Sequence, residues 1–126
     1  MATFDENPTP LMMVDMRQPQ PADGEVLVRV SVCGVCHTEL DEIEGRAPPP
    51  RLPVVPGHEV IGRVAGLGRG CHRYRVGDRV GIGWIHSSSG MPDENVSEAF
   101  RATGRDVNGG YAEYMTVPET YAYRIP

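Results

Sequence analysis

Residues 25–32 read EVLVRVSV, and residues 58–68 read HEVIGRVAGLG. In the first stretch Val26, Val28, Val30 and Val32 alternate with Glu25, Leu27, Arg29 and Ser31. Successive side chains of an extended chain point to opposite faces, so this period of two predicts a β-strand with one buried face. The second stretch, followed by the turn-like RYRVGDRV (73–80) and by VGIGWI (80–85), adds short strands with glycine at strand ends and candidate bulges. HSSSGMPDENVSE (86–98) reads as a polar surface loop, and GGYAEYMTVPETYAYRIP (109–126) as a last strand-rich run. Short β-segments separated by turns are the staves of a small barrel.

Working outward from these strands, Thr38 is placed to cap a helix of one or two turns that carries Leu40 and Ile43 and ends at Gly45. APPPRLPVVPG (47–57) holds five prolines within ten residues, which remove donors and extend their predecessors. It is a stiff connecting loop. Residues 1–24, broken by Pro8, Pro10, Pro19 and Pro21, offer at most an edge strand at Leu11 to Val14. The expected fold is mainly β with a minor α component, a partly open β-barrel with one or two short helices forming a single domain over residues 1–126.

Composition narrows the function. The 15 glycines and 12 prolines make about a fifth of the 126 residues, against roughly 12% in ordinary soluble chains, so turns are many and helices few. Seventeen acidic against 12 basic residues, net −5, is the opposite of a nucleic-acid-binding surface. No apolar run approaches the roughly 20 residues of a membrane span, and the first ten residues lack the basic and apolar regions of a signal peptide. Cys33, Cys36 and Cys71 are an odd set, better suited to reduced thiols or metal ligands in the cytoplasm than to a disulfide framework. Neither a GxGxxG motif opening a helix nor strand-helix-strand alternation is found, so a dinucleotide fold is not encoded in these residues.

Two constellations carry chemistry. Cys33-Gly34-Val35-Cys36-His37-Thr38-Glu39 follows a strong strand. It reads as a thioredoxin-like redox pair, as half of a Cys3His zinc site with Cys71 and His72, or as a single ligand, Cys36, with Cys33 a small buried hydrophobe. The redox reading lacks its βαβ context, and neighbouring Cys71 and His72 in a strand would point apart. The second constellation is Gly57-His58-Glu59, 22 positions beyond Cys36. A lone histidine of this kind is more often a satisfied structural side chain than a ligand.

The company of that histidine changes the reading. Gly57-His58-Glu59, Gly62, Gly68 and Cys71 match the zinc-containing alcohol dehydrogenase signature at each fixed position. CGVCHTEL, PGHE, the GDRV of Gly77 to Val80 and GGYAEY of Gly109 to Tyr114 follow in that family's order. From about residue 20 onward the chain resembles the GroES-like catalytic domain of medium-chain zinc-dependent alcohol dehydrogenases. The resemblance implies a GroES-like barrel, and one catalytic zinc held by Cys36 and His58 with Glu59 able to approach it. It also implies that Thr38 begins a proton relay, that Glu39 orients the ligands, that His37 meets the cofactor pyrophosphate and that Trp84 walls the substrate pocket. Glu39 stands where aspartate is usual, and Asp41 where many members end the relay with histidine.

Further departures shape the expectation. The family's structural-zinc lobe carries four cysteines after the Trp84 region, whereas residues 86–100 contain none, with Ser89 and Ser97 near the positions of the first and last. The lobe reads as excised, by engineering rather than by lineage. The family's third zinc ligand and its NAD(P)-binding domain lie beyond Pro126 in the family's order. The resulting expectation is a minimised catalytic domain whose full-length parent oxidises a small alcohol with NAD(P), its small-molecule partner an alcohol or aldehyde. This chain would be a weak zinc binder with little dehydrogenase activity, self-associating through the face that meets the nucleotide domain. The rival reading is a metal-free structural or binding module of GroES-like fold.

Overall fold

The computed structural model describes residues 11–126; the polar segment that precedes them lies outside the described residues. Chain order gives β1 (Glu25–Cys33), α1 (His37–Ile43), β2 (Val60–Leu67), β3 (Arg79–Ile82), β4 (Ile85–Ser87), β5 (Arg101–Ala102), β6 (Tyr114–Pro118) and β7 (Ala122–Arg124). Single 3-10 turns occur at Glu94–Val96 and Glu119–Tyr121. Five strands form one antiparallel sheet in the order β6-β1-β2-β3-β7, and β4 pairs with β5 separately. The long sheet curls into a half-barrel, the mainly β, partly open fold that the strand pattern predicts. Among the described residues no helix is long and apolar enough to cross a membrane.

The core lies inside the curl. Val26 and Val28 of β1, Val60 and Val64 of β2, Val80 and Ile82 of β3, Met115 and Val117 of β6, and Ala122 of β7 are buried together with Tyr74. Each alternating pair comes from one strand, as a half-buried pleat requires. The phenol of Tyr74 donates to the Ala122 carbonyl, which fixes the β2–β3 connection against β7. Met115, 2% exposed on the edge strand β6, points into the curl and is among the largest fully buried side chains. Met115→Ala is expected to cost about 2–5 kcal/mol through lost transfer energy and a residual cavity, read as a lower urea midpoint at unchanged slope. An unchanged midpoint would show that Met115 does not hold the sheet together.

Several local expectations are corrected. Alternation along β1 holds for Val26 and Val28, but Val32 is 57% exposed and Leu27 is buried. The pairing with β2 slips between Leu27 and Val28 and again between Val30 and Val32. Each irregularity turns the following side chains to a different face. VGIGWI is not one strand: it breaks at Gly83-Trp84, leaving β3 in the long sheet and β4 in the small one. Leu11 to Val14 forms no strand, and β4 takes the first residues of the expected polar loop.

Candidate metal centre and substrate cleft

The long sheet brings distant sequence together at one end. Cys33, the last residue of β1, pairs with Val60, the first of β2. Cys36 therefore leaves β1 beside the place where His58 and Glu59 enter β2. The Gly34 amide donates to the Glu59 carbonyl at 2.8 Å, and a side chain at Gly34 would collide with the Glu59 carboxylate. His58 is delivered by the proline-rich loop, which is itself held from the β5–β6 connection. The Gly109 amide donates to the Val55 carbonyl (2.7 Å), the Tyr111 amide to that of Pro56 (2.9 Å) and the Gly110 amide to that of Gly57 (3.0 Å). The Val55 amide donates to Asn108 Oδ1 at 3.0 Å. Proline stiffness and these cross-links leave the histidine little freedom to wander.

Ligand atoms of Cys36, His58 and Glu59 lie within 4.8 Å of one another. Cys36 and His58 are half-buried and Glu59 is exposed. Thiolate, imidazole and carboxylate are the donor types zinc takes at about 2.0–2.3 Å, so the trio fits the ion and a single cation can draw it together. Glu39, only 2% exposed, supports it in two ways. Its Oε2 accepts from the Cys36 amide at 2.9 Å, and its Oε1 stands 3.1 Å from His58 Nδ1. A carboxylate facing one ring nitrogen leaves the other, Nε2, to meet a metal. The thiol of Cys36 also reaches Thr38 Oγ1 at 3.5 Å.

Cys36, not Thr38, is the N-cap of α1, and Glu39 at the third helical position returns to its amide. Thr38 lies inside the first turn, its hydroxyl accepting from the Cys36 thiol rather than capping the helix. The helix buries Glu39 and Glu42, while Leu40 is 45% exposed. Its inward face is acidic rather than apolar.

Neither competing cysteine reading assembles. The three cysteines are free thiols. Cys33 packs against the core, and burial pushes its thiol up, the reverse of what a redox pair needs. Cys71 donates to the Glu25 carbonyl at 3.1 Å, at the opposite end of β1 from Cys36, and His72 is exposed. His37 is also exposed, with Nε2 3.5 Å from Asp41 Oδ1.

Beside the Cys36, His58 and Glu59 cluster opens a cleft of about 720 Å³, lined by Thr38, His58, Glu59 and Trp84 and by residues that sequence reasoning missed, among them Glu42, Phe100, Thr103, Arg105 and Asp106. Trp84 is half-exposed and tilts against Phe100, ring centroids 5.2 Å apart. Glu42 was legible in principle, because it lies one helical turn beyond Thr38 on the same face. Phe100, Thr103 and Arg105 carry no such signal, since the β4–β5 pairing and the bonds from the β5–β6 connection to the proline-rich loop fold them over the site. Burial raises the Glu42 carboxyl and Arg105 pulls it back.

Thr103 is 2% exposed and its hydroxyl has no hydrogen-bond partner. Thr103→Val is expected to stabilise the ligand-free protein by about 1 kcal/mol, because an unpaired buried hydroxyl costs more than the methyl that replaces it. A lower melting temperature would show that the fold itself uses the hydroxyl.

Comparison with known proteins agrees with this geometry. Residues 22–126 match the family model for the alcohol dehydrogenase GroES-like domain. An alcohol dehydrogenase of Geobacillus stearothermophilus is 40% identical over 132 positions, covering 99% of this chain and 39% of that protein. In structure the chain is similar to 2R,3R-butanediol dehydrogenase from Bacillus subtilis, with a TM-score of 0.83 at 28% identity over 99% of this chain and 39% of that one. It is also similar to a cobalt- and zinc-bound thermostable alcohol dehydrogenase from Pyrobaculum aerophilum, with a TM-score of 0.81 at 29% identity over 90% of this chain and 37% of that one. The chain thus spans about two fifths of the relatives it matches. With its curled sheet and its Cys36, His58 and Glu59 cluster, it belongs to the alcohol dehydrogenase GroES-like domain family.

Proposed function

We propose that this chain is the zinc-holding, substrate-gripping part of a zinc-dependent alcohol dehydrogenase acting on a small alcohol or aldehyde with NAD(P). The observation that carries the reading is the convergence of Cys36, His58 and Glu59 at the mouth of a cleft that Thr38 and Trp84 also line. Cys36 and His58 are the principal metal ligands, Glu59 is a mobile third, and Glu39 orients the imidazole. Zinc, when bound, supplies Lewis acidity that favours proton loss from an alcohol or polarises a carbonyl. Thr38 is the hydroxyl that accepts the alcohol proton and passes it on, having both a donor and acceptor site. Trp84 and Phe100 hold the carbon chain. His37, exposed at the start of α1, meets the cofactor pyrophosphate in this reading.

Hydride transfer needs a nicotinamide cofactor, and these residues carry no dinucleotide motif of their own. With three donors from this chain, one of them exposed, zinc is held weakly and dehydrogenase activity of the chain alone is slight. The cysteine-free loop after β4 makes this a minimal form, pared down by design, whose fold draws nothing from a structural zinc. Exposed Val35 and Leu40, flanking and within α1, provide apolar surface for self-association, which sedimentation velocity over a concentration series reads. Elemental mass spectrometry of the purified chain tests the central claim. One zinc per chain, lost in Cys36→Ala and in His58→Ala, is expected. No zinc after incubation with excess would leave a metal-free structural module.

A further inference from the structure

The cleft lining divides into two chemistries. Trp84, Phe100 and Ala102 form an apolar part, while Glu42, Thr103 and Arg105 form a polar part. The polar groups are fixed but not spent. Arg105 donates to the carbonyls of Ala47 and Pro48, each at 3.0 Å, which locks the guanidinium in place. Glu42 is 5% exposed, and its carboxylate faces Arg105 as an ion pair, with Nη1 3.6 Å from Oε1. The Thr103 hydroxyl is buried and unpartnered. Native folds rarely leave such a group unsatisfied, because it costs stability, and here it lines the cleft beside the Glu42–Arg105 pair.

Charge and spacing specify what satisfies them. Arg105 offsets the charge of Glu42, and Glu59 and Asp106 also line the cleft, so the pair suits a neutral hydroxyl rather than a carboxylate. Thr38 and Glu42 are four residues apart on one helix face, with Cβ atoms roughly 5–6 Å apart. Hydroxyls on neighbouring carbons bridge that spacing, one reaching Thr38 and the other Glu42. We propose that Glu42, with Thr103 and Arg105, forms a subsite for a second hydroxyl, so that the cleft takes vicinal diols and polyols in preference to simple alcohols. The inference rests on the reading of Cys36, His58 and Glu59 as the end that receives the reacting hydroxyl. A site built to hydrogen-bond a hydroxyl rejects the analogue that lacks it, because the buried acceptor then stays unpaired.

Trp84 is the only tryptophan in the chain and lines the cleft, so its fluorescence reports entry without any turnover. The metal-free and the cobalt(II)-loaded protein are titrated with 1-propanol, 1,2-propanediol and glycerol. In the cobalt form the Cys36 thiolate-to-metal absorption is followed as well. The two polyols are expected to bind about tenfold more tightly than 1-propanol in both forms. Glu42→Leu should erase the difference, and the isosteric Glu42→Gln, which preserves the fold, should reduce it. Equal binding of the three alcohols to the wild-type protein overturns the proposal, as does a polyol preference that persists in both Glu42 variants. A preference that is present in protein that takes up no metal upholds the subsite and overturns the metal reading instead.

Discussion

Zinc supplied at about a hundred times its dissociation constant is expected to raise the melting temperature by on the order of 10 °C, since a ligand of the native state alone then adds about 2.7 kcal/mol and each kcal/mol moves a domain of this size by roughly 3–5 °C. The surroundings of the trio that would bind it are acidic even before the thiol ionises: Glu39 is buried on the adjoining helix face and Glu59 stands at its mouth. A divalent cation relieves that repulsion as well as tying β1 to β2 across the end of the sheet. Cys36→Ala and His58→Ala should each abolish the rise. Glu59→Gln should only diminish it, because an exposed carboxylate is a weaker anchor than two half-buried soft donors. Glu39→Gln keeps every ligand but loses the charge facing Nδ1, so zinc affinity should fall about 10- to 100-fold. Binding displaces protons from the ligands, so affinity should strengthen as pH rises from 6 to 8. Differential scanning fluorimetry with and without a chelator reads all of this. A rise of equal size in Cys36→Ala would mean that zinc binds elsewhere.

The parts of the fold legible from sequence are those governed by local period. Val26 and Val28 sit where alternation puts them, and so do Val60 with Val64 and Val80 with Ile82. Val32 does not, because bulges are set by how β1 must bend over β2, a tertiary requirement with no mark in a run of alternating valines. The helix start was misplaced by two residues for a different reason. The glutamate of a capping box is present at Glu39, but the capping position holds cysteine where serine or threonine is the usual signal. At the site, Cys36, His58 and Glu59 were readable because motif spacing encodes the end of β1 and the start of β2. Thr103 and Arg105 were not. They approach Glu42 across some sixty residues because β5 pairs with β4 and the connection before β6 folds back onto the proline-rich loop. What the cleft holds is therefore written less in motifs than in which buried polar groups the fold leaves without partners.

Gly57→Ala is expected to cost roughly 3 kcal/mol or more, from a left-handed backbone penalty of about 1–2 kcal/mol and overpacking of about 1–3 kcal/mol. Gly57 has φ +101°, and an added Cβ would stand 2.6 Å from the Tyr111 ring and 2.7 Å from Cys33 Sγ. Neither neighbour can yield easily. Cys33 packs on the core, and the Tyr111 ring is set by its amide's bond to Pro56, with burial pushing its phenol up to about 12. Side chains at Gly104 or Gly109 would in turn strike the Gly57 backbone, so three glycines make one close crossing of chains. Gly70 separates the two penalties. Its φ is +85° with nothing within 4 Å of an added Cβ, so Gly70→Ala carries the backbone cost alone, about 1–2 kcal/mol. The crossing also aims the next residue, His58. Gly57→Ala should therefore weaken zinc binding in protein that is still folded at low temperature, while Gly70→Ala leaves it unchanged. Equal losses of stability in the two variants would show that the crossing tolerates a methyl group. Unaltered zinc affinity in Gly57→Ala would show that the proline-rich loop alone holds the histidine in place.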